Sequence, residues 1–105
     1  MRLAAIDIGS NAARLLITEV EENGTKPSFQ KLNLVRVPLR LGFDVFEDNR
    51  ISDEKITMIL NTIKAYKFLI DVYGVSHVKA CATSAMRGAI NSKEIIQQVK
   101  AEQVY

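Results

Sequence analysis

Two short stretches of the chain hold residues whose types and spacing could handle phosphate. The first is Asp7-Ile8-Gly9-Ser10-Asn11, a carboxylate at the end of an apolar run followed by a turn of small residues. Gly9 lets a ligand approach the backbone closely, and Ser10 and Asn11 offer side-chain and main-chain donors that can surround phosphate oxygens. Asp7 adds a hard oxygen ligand, and a carboxylate beside phosphate oxygens is the usual way to hold Mg²⁺, often through water. The same residues also read as a plain hairpin turn with a surface acid, since Gly, Ser and Asn are common turn formers. The second stretch, Ala82-Thr83-Ser84-Ala85-Met86-Arg87, places two hydroxyls and one guanidinium just past a strand end, where α/β folds gather ligand sites. Arg87 could bind a phosphate bidentately. A capping Ser with a surface Arg is the plainer reading. Arg14, three residues after Asn11, either flanks the same pocket or points to water.

The elements that must position these residues can be read from hydrophobic period and turn chemistry. Leu3 to Ile8 is a short apolar strand closed by Gly9-Ser10-Asn11, and Ala12 to Val20 is a second strand ended by Glu21-Glu22-Asn23-Gly24. A third strand lies between Phe29 and Leu41, with Pro38 marking an edge or a bulge. The period then changes. Ser52 is a good N-cap, Asp53 and Glu54 suit the positive end of a helix dipole, and Gly74 is the expected stop. Between them Ile56, Ile59, Leu60, Ile63, Tyr66, Ile70 and Tyr73 fall at steps of three and four, an apolar stripe that must lie on the sheet. Val75 to Ala82 reads as a buried strand, with Cys81 in the core, and a helix from about Ser92 to Val104 follows. The expected order is βββαβα, an α/β arrangement within one domain, with no repeat or linker to divide it.

Composition sets aside several function classes. Of the 105 residues 48% are hydrophobic and 25% charged, a globular balance rather than a disordered or fibrous one. Fourteen basic and twelve acidic residues give a net charge of +2 with no basic tail, so no nucleic-acid partner is expected. Lys55, Lys64, Lys67, Lys93 and Lys100 read as solvated helix faces. Cys81 is the single cysteine, which rules out an internal disulfide and fits a reducing compartment. The start of the chain lacks a signal-peptide core and no stretch is long enough to cross a membrane, so a cytoplasmic, membrane-free protein is expected. His77, the single histidine, has no second ligand nearby and reads as structural. Neither a Walker-type loop nor a Gly-x-Gly-x-x-Gly fingerprint occurs.

Taken together, Ala5-Ile6-Asp7-Ile8-Gly9-Ser10-Asn11-Ala12-Ala13-Arg14-Leu15-Leu16-Ile17 and Ala82-Thr83-Ser84-Ala85-Met86-Arg87-Gly88-Ala89-Ile90-Asn91 resemble the opening motifs of the exopolyphosphatase and guanosine pentaphosphatase family. Leu41-Gly42 and the helix from Ser52 fall where that family has them, so the resemblance spans the chain. It implies an actin-like ATPase (ribonuclease H-like) fold in which residues 1–105 are the N-terminal portion of the first of two domains, the second domain and the rest of the first being absent. The resemblance also implies a hydrolase that uses Mg²⁺ to remove the terminal phosphate of inorganic polyphosphate, or the 5′ γ-phosphate of pppGpp. Asp7 would hold the metal. Gly9, Ser10 and Asn11 would wrap the phosphoryl group, Thr83, Ser84 and Arg87 would orient phosphate oxygens, and Arg14 is a further residue for the same wall. The family's water-activating glutamate and second glycine-rich phosphate loop have no counterpart here, since Glu94 and Glu102 stand in unrelated contexts. That base is expected downstream of Tyr105, and the chain alone is expected to be inactive. The rival expectation is a phosphate- or nucleotide-binding module that self-associates as a homodimer or pairs with a second protein. A kinase-like relative using ATP is a third, against which Ser10-Asn11 argues.

Overall fold

The computed structural model describes residues 1–9, 11–24, 26–41, 51–82 and residue 97. Among them run β1 (Arg2–Ile8), β2 (Ala12–Asn23), β3 (Lys26–Pro38), α1 (Asp53–Tyr73) and β4 (His77–Ala82). The strands form one mixed sheet in the order β3-β2-β1-β4, with β2 antiparallel to both β1 and β3 and β4 parallel to β1. This agrees with the expected order as far as β4. The helix expected over 92–104 falls, apart from residue 97, outside the described residues.

Turn chemistry closes the two hairpins. Between β1 and β2 the Gly9 N–H donates to the Ala12 carbonyl at 2.8 Å. Between β2 and β3 Gly24 takes φ 74°, a left-handed backbone that glycine adopts without a Cβ clash, and Asn23 pairs with Lys26 across it. The pairing of β2 with β3 shifts between Ile17 and Thr18, which leaves Leu32 as an extra residue on β3. Pro38 ends β3, an edge strand, where a proline is tolerated.

Strand alternation gives the sheet two unlike faces. The inner face carries Ile6, Ile8, Leu15 and Ile17, and α1 closes it with Ile56, Ile59, Ile63, Tyr66 and Ile70. Leu60 and Tyr73, at the margin of the expected stripe, are only half-buried. Tyr66 is 0% exposed, and its hydroxyl donates to the carbonyls of Ala13 (3.0 Å) and Val35 (3.2 Å), so one phenol ties the helix to both β2 and β3. At the other end of α1, Arg2 Nη1 donates to the Tyr73 carbonyl at 2.8 Å and Asn33 Nδ2 to the Tyr73 hydroxyl at 3.1 Å.

Both helix ends match their sequence signals. Ser52 Oγ accepts from the Lys55 N–H at 3.2 Å, and Gly74 turns left-handed at φ 64° with its N–H on the Ile70 and Asp71 carbonyls. A Cβ at Gly74 would meet nothing within 4 Å, so a Gly74→Ala change costs backbone strain alone. That strain is about 1 kcal/mol. We expect the urea midpoint of Gly74→Ala to fall accordingly with the m-value unchanged.

The fourth strand corrects two expectations. It begins at His77 rather than Val75, because the Val75 N–H donates to the Ile70 carbonyl and the Ser76 N–H to the Arg2 carbonyl. Cys81 is exposed, not core. Val78 and Ala80 pack on the core cluster while His77, Lys79 and Cys81 face outward, as a period of two requires for a strand covered on one side. Among the described residues no helix is long and apolar enough to cross a membrane.

Candidate functional site

Strand β1 carries Asp7 to the end of the sheet where the chain turns at Gly9. In register, Asp7 lies between Arg14 of β2 and Cys81 of β4, and Arg14 lies opposite Arg36 of β3. One row thus crosses all four strands: Arg36, Arg14, Asp7, Cys81. Opposed residues project to the same face, and the flanking Ile6 and Ile8 are buried inside, so this row stands on the outer face. Asp7 is half-buried and the other three are exposed. Glu19 pairs with the Met1 amino group (3.3 Å) and with Arg2 Nε (3.6 Å), and neither Asp7 nor Arg14 takes part in these pairs.

The turn beside this row is held from behind by the end of β3. The Asn11 carbonyl accepts two N–H groups, from Leu39 at 2.8 Å and from Arg40 at 2.9 Å. Leu39 and Leu41 are fully buried, which fixes the segment and leaves Arg40 between them exposed. Arg40 pays for that with φ 56°, a left-handed conformation costing a side-chain-bearing residue roughly 1–2 kcal/mol. Two buried leucines and two hydrogen bonds therefore hold the Asn11 backbone against the segment that follows β3.

Of the residues singled out in the sequence, Asp7, Gly9, Asn11 and Arg14 come together at this end of the sheet. Asn11 and Arg14 are exposed, and Arg14 lies directly across from Asp7. Ser10, Thr83, Ser84 and Arg87 lie outside the described residues. Ile8 pairs with Ala82 in the parallel ladder, so the chain leaves β4 at the same end at which β1 enters its turn. Two arginines here escaped the sequence reading: Arg36, which extends the row, and Arg40, behind the turn.

Chemically, the described part of the site offers a carboxylate, a guanidinium and the exposed Asn11, while the Gly9 amide is already engaged by the Ala12 carbonyl. Among the described residues no group of three or more His, Cys, Asp or Glu side chains could hold a metal together. A lone half-buried carboxylate is the donor set for a hard ion that keeps most of its water, which Mg²⁺ does. An apolar groove of about 340 Å³ also opens on the outer face, lined by Leu3, Ala5, Leu16, Phe29 and His77. It lies toward the opposite end of β1 from Asp7 and takes no part in this chemistry.

Comparison with known proteins gives a consistent result. The model of the Ppx/GppA phosphatase family matches residues 16–104. The chain is 36% identical over 103 residues to the bifunctional 3-dehydroquinate synthase/phosphatase of Fusobacterium nucleatum, covering 91% of this chain and 15% of that protein. It is 28% identical over 102 residues to exopolyphosphatase 1 of Mycobacterium tuberculosis, covering 97% and 29%. Among solved structures, the Ppx/GppA family member of Aquifex aeolicus superposes with a TM-score of 0.89 at 36% identity, over 97% of this chain and 32% of that one. An exopolyphosphatase from Cytophaga hutchinsonii superposes with a TM-score of 0.84 at 30% identity, over 97% and 31%. The chain thus spans about a third or less of the length of these relatives.

Proposed function

The chain belongs to the Ppx/GppA phosphatase family, with the fold of its actin-like ATPase-type domains, and from that premise we propose that it supplies one wall of a phosphohydrolase cleft acting on the terminal phosphate of inorganic polyphosphate. The observation that carries the reading is the row of Asp7 and Arg14 beside the braced Gly9–Asn11 turn. Exopolyphosphatases among the relatives support the substrate. The 5′ γ-phosphate of pppGpp is the second substrate of the same chemistry.

In this proposal Asp7 would hold a hydrated Mg²⁺, which would supply positive charge against the phosphate being transferred. Gly9 would let the terminal phosphate come close to the backbone, Asn11 would donate to it, and Arg14 would bind an oxygen on the adjoining group. Ser10, Thr83, Ser84 and Arg87 complete the cradle. Water attacks the terminal phosphorus, the bond to the bridging oxygen breaks, and the shortened chain leaves with that oxygen. Positioning and charge neutralisation are the main sources of catalysis in such a transfer. The base that takes the water's proton comes from beyond this chain, in a cytoplasmic protein. The 105 residues alone therefore release no appreciable phosphate.

The test is phosphate release from long-chain polyphosphate and from pppGpp by the product of the whole gene. Release that requires Mg²⁺ and stops on chelation is the expected result. No release from either substrate would sink the reading, and robust turnover by the 105-residue chain would overturn the assignment of the base to another segment.

A second reading, a phosphate-binding module that self-associates or pairs with another protein, draws on the apolar outer face, where Leu34 is 50% and Phe29 68% exposed. Stable association together with polyphosphate binding but no hydrolysis, in the same assay, would favour it.

A further inference from the structure

Arg14 and Arg36 are opposed across β2 and β3, and nothing in the fold explains why two cations should be. Directly opposed residues have Cα atoms about 4.5–5.5 Å apart and share a face, where like charges destabilise a sheet. Both side chains are exposed, and neither enters the ion pairs found among the described residues. Lys79, two residues before Cys81 on β4, adds positive charge to the same face, and Asp7 is the one acid in the row. An edge strand gains from a single charge that discourages pairing with another chain, but this does not require an arginine set against a second arginine.

A multiply charged anion lying across the row reverses the sign of that energy. We propose that Arg36 is a chain-binding residue: it holds phosphates farther along a linear polyphosphate whose terminal group sits at the Gly9–Asn11 turn. This rests on the phosphohydrolase reading above. The path follows from topology. The turn and Asp7 lie on β1, Arg14 on β2, and Arg36 on β3, the outermost strand, so the cations form steps leading from the reacting group to the rim of the sheet. Strands are spaced about 4.8 Å apart. Successive phosphates in a condensed chain lie closer than that, so a chain crossing from β2 to β3 offers at least one phosphate to each guanidinium. Arginine suits the task because its planar fork can bind two oxygens of one phosphate. Arg36 would then act on long chains and contribute little to a substrate too short to reach it.

The experiment measures steady-state kinetics of the whole gene product on long-chain polyphosphate and on tripolyphosphate at several salt concentrations. Arg36→Gln is expected to raise KM for the long chain about tenfold, the lower end of what a charge-assisted hydrogen bond supplies. The salt dependence of that KM should weaken by roughly one unit in log–log slope. The loss should fall on KM rather than kcat, with less than about a twofold change on tripolyphosphate, and Arg36→Lys should recover part of it. The unfolding midpoint should hold or rise, because a like-charge pair has been relieved. An unchanged KM on the long chain, an equal loss on both substrates, or a lowered midpoint with kcat reduced would each overturn the proposal while leaving the phosphohydrolase reading in place. No hydrolysis of either substrate by the unmodified protein would instead overturn the reading itself, and the proposal with it.

Discussion

Asp7→Asn in the whole gene product is expected to lower Mg²⁺-dependent phosphate release by about 10²–10³-fold, the loss that follows removal of one preorganised electrostatic group from a reacting centre. The change is isosteric and removes only the charge. Asp7 is half-buried at the end of β1 and makes none of the side-chain hydrogen bonds or ion pairs described, so its carboxylate is dispensable for the fold. The far-ultraviolet circular dichroism spectrum and unfolding midpoint should therefore match the parent protein. Raising Mg²⁺ should recover part of the rate if the lost charge served the metal. A variant that turns over at the parental rate would remove Asp7 from the site.

Tyr66 carries the largest expected effect on stability. Tyr66→Ala should cost about 3–5 kcal/mol, the range for emptying a buried aromatic position, and should lower the calorimetric midpoint by many degrees. Tyr66→Phe separates the ring from its hydroxyl: it keeps the packing and removes the donor to Ala13 and Val35, for about 1–3 kcal/mol. The same phenol makes the fold sensitive to alkali. Burial pushes its pKa up from 10.0 to about 12, so between these values the unfolded chain gives up a proton that the native protein retains. Stability from this group is complete below pH 10 and is lost progressively as pH rises toward 12. The loss is on the order of 2 kcal/mol. Urea midpoints measured from pH 9 to 12 should fall over that window in the parent and more shallowly in Tyr66→Phe. Parallel curves would mean that Tyr66 does not control the alkaline limb.

Ser52 and Gly74 bound the helix where their chemistry says, because capping is decided locally. β3 begins at Lys26 rather than Phe29, since the first residues of an exposed ribbon carry no apolar alternation to reveal them. Cys81 went astray because a short apolar run does not disclose whether one face or both will be covered. Arg36 needed a fact no periodicity holds. Counting back from the Asn23–Lys26 closure puts residue 35 opposite Arg14, and only the irregularity between Ile17 and Thr18 moves Arg36 into that place. A slip of one residue exchanges the faces of a strand, so the outer row was illegible without the bulge. The Asp7 turn, in contrast, was legible from five consecutive residues, and Arg14 from its spacing to them.

The parallel partnership of β1 and β4 joins residues 74 apart in the chain at every rung, from Leu3 with His77 to Ile8 with Ala82. The hairpins of β1, β2 and β3 need only neighbouring sequence, whereas β4 must close a long loop before any of its contacts are rewarded. On an emerging polypeptide, β1 therefore stands as an open edge until the residues up to 82 have been synthesised. A bare edge is a template for intermolecular pairing, and charged residues are a common means of guarding one. The charged residues of that strand are Arg2 and Asp7, one near each end of the edge that waits for β4.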